Sequence, residues 1–280
     1  MTQPLFEVFG RPFNNLGADG EYHRAHKICP FQPGTTPCTK VSVSDPLGVC
    51  SVKDGTSEAI TCPTRFREDW MIAKHAAKFF FPEGSTYKIL PEVRIKGGDG
   101  SPAGNIDVVL AQVDHAGQLV DFGSIEIQAV YISGNVRDPF EFYMENPARN
   151  GPIGWNGKKY PRADYLSSSR KRLAPQMIMK GGILKAWNKK QAIVLHKGFY
   201  ATLPTLTPTE KANADIVWLV YDLVPHETED RQVLTLVETV YTEFASALST
   251  ITTTEPGPVK TFETVLNRKL KASPAVTSWA

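Results

Sequence analysis

Four cysteines, at positions 29, 38, 50 and 62 of a 280-residue chain, are the only ones it has, and eight, eleven and eleven residues separate them. The first 65 residues, which contain all four, are rich in Gly, Pro and Thr and show little helical or strand periodicity. Such a stretch has little apolar burial to offset the entropy of ordering it, so a crosslink or a metal is expected there. Four thiolates complete a closed tetrahedral shell around iron or zinc, and binding would supply the missing ordering free energy. The spacing is not the paired CxxC of a zinc knuckle or a redox dithiol, which sets a redox role aside. Two disulfides or four separate buried thiols are the alternative uses of the same residues. Their confinement to one stretch counts against scattered thiols. The start, Met1 to Gly10, has neither a basic nor an apolar signal region, which counts against disulfides and leads us to expect a reducing, cytoplasmic setting.

The composition is that of an ordinary globular protein, with 31 Lys+Arg against 29 Asp+Glu, a formal charge of +2 and 41% hydrophobic residues. The longest apolar run, from Ile216, is broken at Asp222, far short of the roughly 20 residues that span a bilayer. No membrane partner is expected. The small net charge is a cancellation. Between Lys158 and Lys190 there are ten basic residues and one acid, while between Thr205 and Glu255 there are nine acids and two bases. A polyanion-binding face would produce this separation, and so would a helix with a solvated basic side.

We divide the chain into a four-cysteine metal-binding module, 1–65, and a larger unit, 66–280. Helical spacing of Trp70, Ala73, Ala77 and Phe80 predicts an amphipathic helix over 67–81, stopped by Pro82-Glu83-Gly84. Strands are predicted at 87–95, 106–113 and 122–132, separated by Gly-rich turns. A helical stretch at 164–187 follows, in which Pro175 must start a new helix or kink the existing one. Further strands are predicted at 191–195, 198–203 and 215–224, and a closing helix at 258–271 with Phe262, Val265, Leu266 and Leu270 on one face. The expected fold class is α/β (α+β), a mixed central sheet flanked by helices.

Asp107 lies in a Val/Leu-rich strand, and nineteen residues later comes Ser124-Ile125-Glu126-Ile127-Gln128. Strand alternation puts Glu126 and Gln128 on one face and Ile125 and Ile127 on the other. If the two strands are neighbours, Asp107 joins that face, and two carboxylates and an amide surround one point. Hard oxygen donors of this kind suit Mg²⁺, which can also hold a phosphate oxygen and a water. The spacing has the form D…ExK with Gln in the Lys position. An edge strand with a wet face would carry the same residues.

Taken together, Glu7-Val8-Phe9-Gly10, Cys29-Pro30-Phe31 through Cys38, Gly48-Val49-Cys50, Cys62-Pro63, Ile106-Asp107-Val108, Glu126-Ile127-Gln128, Ile132 to Asp138, Lys171 to Gln176 and Gly198 to Pro204 resemble the NotI/EagI group of Type II restriction endonucleases over about two thirds of the chain. The resemblance implies a PD-(D/E)XK core and a bacterial cytoplasmic homodimer. Such a dimer would cut double-stranded DNA at a short, GC-rich palindrome with Mg²⁺, leaving 5′-phosphate and 3′-hydroxyl ends. It implies that Asp107, Glu126 and the Ile127 carbonyl hold Mg²⁺, that Gln128 occupies the lysine position, and that Cys29, Cys38, Cys50 and Cys62 hold iron, or alternatively zinc. Arg170, Lys171 and Arg172 are candidate phosphate contacts. Asn135 and Arg137 are further DNA-contact candidates, and Glu92 is a candidate additional acid. The competing class is a non-enzymatic, metal-stabilised DNA-binding protein in which Asp107 and Glu126 are structural.

Overall fold

The computed structural model describes residues 2–157 and 159–271, so Lys158 of the basic segment and the end of the 66–280 unit lie outside the described residues. The first 60 residues contain more regular structure than their composition suggests. Strands β1 (Leu5–Val8), β2 (Arg11–Pro12), β3 (Val49–Asp54) and β4 (Ser57–Ile60) form an antiparallel sheet in the order β2-β1-β3-β4, joined by helix α1 (Ala18–His26). The strands are short and their turns Gly-rich, which hides the alternation in the sequence. Gly48 is required at its position, because a Cβ there would stand 2.4 Å from the Phe9 ring. Leu5, Val8, Phe9 and Val52 pack into the same core as Ile193, Leu195 and Trp218 of the large sheet.

The predicted helix at 67–81 is two pieces. A 3₁₀ helix, Pro63–Trp70, ends with Asp69 and Trp70 at φ of 47° and 52°, and α2 (Met71–Phe80) then starts afresh. The break turns Ile72, Ala73, Ala76 and Phe79 inward, against Val108, Leu110, Ile125 and Ile127. Strands β5 (Tyr87–Lys96), β6 (Pro102–Val113) and β7 (Leu119–Gln128) form the expected antiparallel meander.

A long crossover follows, through β8 (Tyr131–Ser133), α3 (Arg137–Glu145), α4 (Pro147–Ile153), β9 (Arg162–Asp164) and a helical stretch at 165–186. It returns as β10 (Gln191–His196), parallel to β7. β11 (Ile216–Pro225) is parallel to β10, and β12 (Gln232–Thr242) closes the order β12-β11-β10-β7-β6-β5. The result is the mixed sheet flanked by helices that the fold class anticipated, consistent with a PD-(D/E)XK-like core.

Within the crossover helix, Pro175 neither ends nor restarts the chain direction. The turns on either side, Ser169–Leu173 and Met177–Gly181, are wound as π-helix. This wider winding tolerates the donor that proline lacks. Leu173, Met177, Lys180 and Leu184 form its buried stripe.

Two expectations are corrected. Residues 198–203 are not a strand: Lys197–Tyr200 is a helical turn, and the aromatic that reads as a strand residue, Phe199, is buried against the Tyr165 ring. The last helix, Val259–Leu270, does not close the core, since none of its residues is buried and Phe262 is 63% exposed. No described helix is long and apolar enough to cross a membrane.

Arg65, fully buried, fixes the small sheet to the rest. It donates to both Glu7 oxygens at 3.0 Å, to Glu68 Oε2 at 2.8 Å and to the Gln232 carbonyl at 3.1 Å, and lies over the Phe31 ring. Removing one partner of such a pair leaves an uncompensated buried charge. Glu7→Ala is therefore expected to lower unfolding free energy by about 3–5 kcal/mol, read as a shift in denaturant midpoint.

Candidate active site

The β6–β7 ladder ends at the pair Val108↔Ile125. One residue beyond it, the Asp107 carboxylate reaches across and accepts the Ile127 N–H at 2.8 Å. Because Ile125 and Ile127 face α2, Glu126 and Gln128 face the crossover helix, and both are almost fully buried. Asp107, Glu126 and Gln128 are thus brought together at one end of the central sheet.

Two side chains that sequence reasoning did not single out complete the group, both from the crossover helix. Lys180 Nζ donates to Glu126 Oε2 at 2.6 Å and to the Asn105 carbonyl at 2.8 Å, and its side chain is only 5% exposed. The Gln128 side-chain amide donates to Gln176 Oε1. The sequence held a signal for Lys180. It stands at helical spacing within an otherwise apolar stripe, and a buried lysine needs a partner.

Burial pushes the Glu126 carboxyl up to about 8, and the adjacent Asp107 charge adds to the shift despite Lys180 acting against it. Glu126 Oε1 and Gln128 Oε1 are buried without any hydrogen-bond donor. Two donorless oxygens beside a second carboxylate are what a hard divalent cation requires, so the residues fit Mg²⁺.

The remaining predicted residues are placed as follows. The β5–β6 register sets Glu92 opposite Asp107, between the pairs Pro91↔Val108 and Val93↔Ile106. Its backbone is left-handed (φ 56°), and its exposed carboxylate pairs with Arg67 at 3.3 Å. Asn135 and Arg137 are not brought to the carboxylates. Asn135 Oδ1 accepts the Arg137 N–H at the start of α3, and the Arg137 guanidinium pairs with Asp45 at 2.7 Å and Glu141 at 3.3 Å. Arg170 and Lys171 are exposed on the crossover helix, and Arg172 lies over the Tyr131 ring. Three further lysines of the basic segment make contacts within the fold: Lys185 pairs with Asp215, Lys189 with Asp121, and Lys190 donates to the Phe79 carbonyl.

All four cysteines are free, buried and line one cavity of about 10 Å³ with Phe9, Leu47 and Val49. Burial raises the Cys29, Cys38 and Cys50 thiols, and the neighbouring sulfurs raise them further. The backbone amides of Phe31 and Lys40 act in the opposite direction, as donors to the Cys29 and Cys38 sulfurs. Amides two residues after a cysteine, aimed at its sulfur, favour a thiolate, and a metal cation at the shared cavity would offset the burial cost. Among the described residues, however, the one group with three ligand atoms within 4.8 Å of one another is Glu58, His196 and Asp222. The sulfurs surround their cavity at wider spacing.

The raised Glu126 carboxyl makes the protein pH-sensitive. Between the ordinary carboxylate value of 4.5 and about 8, the folded state binds a proton that the unfolded chain releases. Stability without added divalent cation therefore falls as pH rises through that window. Glu126→Gln should remove this contribution, seen as a flatter dependence of melting temperature on pH. An unchanged slope would place the origin elsewhere.

No curated protein sequence matches the chain. The family described as "Restriction endonuclease NotI" matches it over residues 14–234, a span that contains the four cysteines, the Asp107–Glu126–Gln128 group and the whole crossover helix. The chain belongs to the NotI restriction endonuclease family.

Proposed function

We propose that the protein is a Type II site-specific deoxyribonuclease, a homodimer that hydrolyses phosphodiester bonds of double-stranded DNA at a short palindrome, leaving 5′-phosphate and 3′-hydroxyl ends. The observation that carries this reading is the convergence of Asp107, Glu126, Gln128 and one lysine, with Glu126 Oε1 and Gln128 Oε1 buried and donorless. Asp107, Glu126 and the Ile127 carbonyl would hold Mg²⁺, which supplies neutralisation of phosphate charge and a lowered water pKa.

The chain's own residues then divide the remaining work. Gln128 is a neutral amide and takes no proton at neutral pH. Its bond to Gln176 engages the amide nitrogen and leaves Oε1 free to accept. Lys180 supplies the positive charge that the third motif position lacks here. Anchored by Glu126 and the Asn105 carbonyl, it orients Glu126 and stabilises negative charge building on the phosphate. A water oxygen attacks phosphorus and gives up its proton to solvent, the bond to the 3′-oxygen breaks, and that oxygen leaves as the hydroxyl after gaining a proton from solvent. Glu92, opposite Asp107 in the strand register, becomes a further acid at the site if it leaves Arg67. Cys29, Cys38, Cys50 and Cys62, which line one cavity, would hold iron, and visible absorbance of the purified protein distinguishes iron from zinc.

Incubation of DNA of known sequence with Mg²⁺ is expected to give discrete fragments with 5′-phosphate ends. Asp107→Ala should abolish them while DNA binding in Ca²⁺ persists. Intact DNA at saturating wild-type binding would instead identify a non-enzymatic binder. For the exposed basic residues, replacing Arg170, Lys171 and Arg172 together with Ala should reduce the slope of log K against log salt by about 2–3. An unchanged slope would leave them as solvated side chains.

A further inference from the structure

Where β4 of the small sheet meets the ends of β10 and β11, three potential ligands face one another outside the Asp107 site. His196 is fully buried at the end of β10. Its Nδ1 accepts the Gly198 N–H at 3.3 Å, so Nε2 is the nitrogen turned inward. Nε2 has no hydrogen-bond partner, although it lies 3.5 Å from Glu58 Oε1 and 3.3 Å from Asp222 Oδ1. All three ligand atoms lie within 4.8 Å of one another.

We propose that Glu58, His196 and Asp222 form a further divalent-cation site, suited to Zn²⁺, that clamps the small sheet to the central sheet. The spacing favours ligation over a hydrogen bond. Ligands bound to tetrahedral zinc at about 2.0–2.2 Å stand about 3.3–3.5 Å apart, whereas an N–H···O bond closes to about 2.7–3.2 Å. One imidazole and two carboxylates are also a common zinc donor set, with the fourth position left for water.

Local charge points the same way. Asp54, Glu58 and Asp222 gather here with Lys197 as the one ammonium paired among them in the described residues, which leaves two negative charges in a half-buried setting. A divalent cation balances them. The carboxylate oxygens are already divided accordingly: Asp222 Oδ2 accepts from Lys197 at 2.5 Å while Oδ1, which also accepts the Leu223 N–H at 2.9 Å, faces His196, and Tyr165 donates to Asp54 at 2.6 Å, so that Glu58 is the second carboxylate facing Nε2. Ligation through Nε2 moves the ring proton to Nδ1, so the Gly198 amide must turn away from it. At 3.3 Å that bond is long, and its loss is the main local cost.

Zinc stoichiometry of the full chain tests the proposal without recourse to cleavage. Wild type dialysed against Zn²⁺ should hold one equivalent more than His196→Gln and than the double variant Glu58→Gln/Asp222→Asn, and added Zn²⁺ should raise the melting temperature of wild type alone. Co²⁺ separates this site from the cysteines. The double variant should lose visible bands of nitrogen and oxygen ligation while thiolate charge-transfer bands persist. If His196→Gln does not fold, the double variant decides, because its two side chains are partly exposed. Equal stoichiometry and identical Co²⁺ spectra in wild type and the double variant would overturn the proposal and leave His196 as a donor between two carboxylates.

Discussion

Two carboxylates held side by side at a buried sheet end are costly, and the arrangement of Asp107, Glu126 and Lys180 is the constraint on which the rest of this fold depends. Asp107 is tied down by the Ile127 amide, but burial and the neighbouring Asp107 charge raise the Glu126 carboxyl, and Lys180 acts against that rise. A cation must be delivered from outside the meander. Lys180, 54 residues further along the chain, delivers it. The crossover helix must therefore lie with its Leu173–Met177–Leu184 stripe directly on the sheet. The π-wound turns around Pro175 let it do so while Gln176 and Lys180 face the same point.

The small sheet contributes in a different way. Its strands share a core with β10 and β11, and Arg65 ties Glu7 to Glu68 and to the start of β12. The cysteine cavity sits inside this packed unit, bordered by Phe9, Leu47 and Val49. Any metal held there stabilises a module that is already continuous with the nuclease sheet, so its loss would be felt across the interface as well as around the cysteines.

Much of this is legible in the sequence, for physical reasons. Strands β5, β6 and β7 run over ten or twelve residues, long enough to read as strands, and alternation puts Glu126 and Gln128 on one face, which Asp107 joins once β6 and β7 are neighbours. The four-residue strands of the small sheet are too short for the same signal. Lys180 is hidden among ten basic residues that read as one surface, whereas burial divides them: Lys180 points into the site, Lys185 and Lys189 close ion pairs, and Arg170 and Lys171 remain outside. The helical turn at Lys197–Tyr200 reads as a strand because a buried aromatic carries no mark of which element holds it. The amphipathic face at 259–270 is genuine as a pattern, but a pattern does not specify what it packs against.

The central claim is that Lys180, not the residue at the motif's third position, supplies the positive charge of the active site. The direct measurement is the single-turnover cleavage rate of Lys180→Met on a DNA that wild type cuts, at saturating enzyme and Mg²⁺. Loss of one preorganised charge contact to the transition state predicts a rate about 10²–10³-fold lower, with DNA affinity in Ca²⁺ close to wild type, measured below the variant's own melting temperature because removing a buried partner also lowers stability. Cleavage at the wild-type rate would contradict the account.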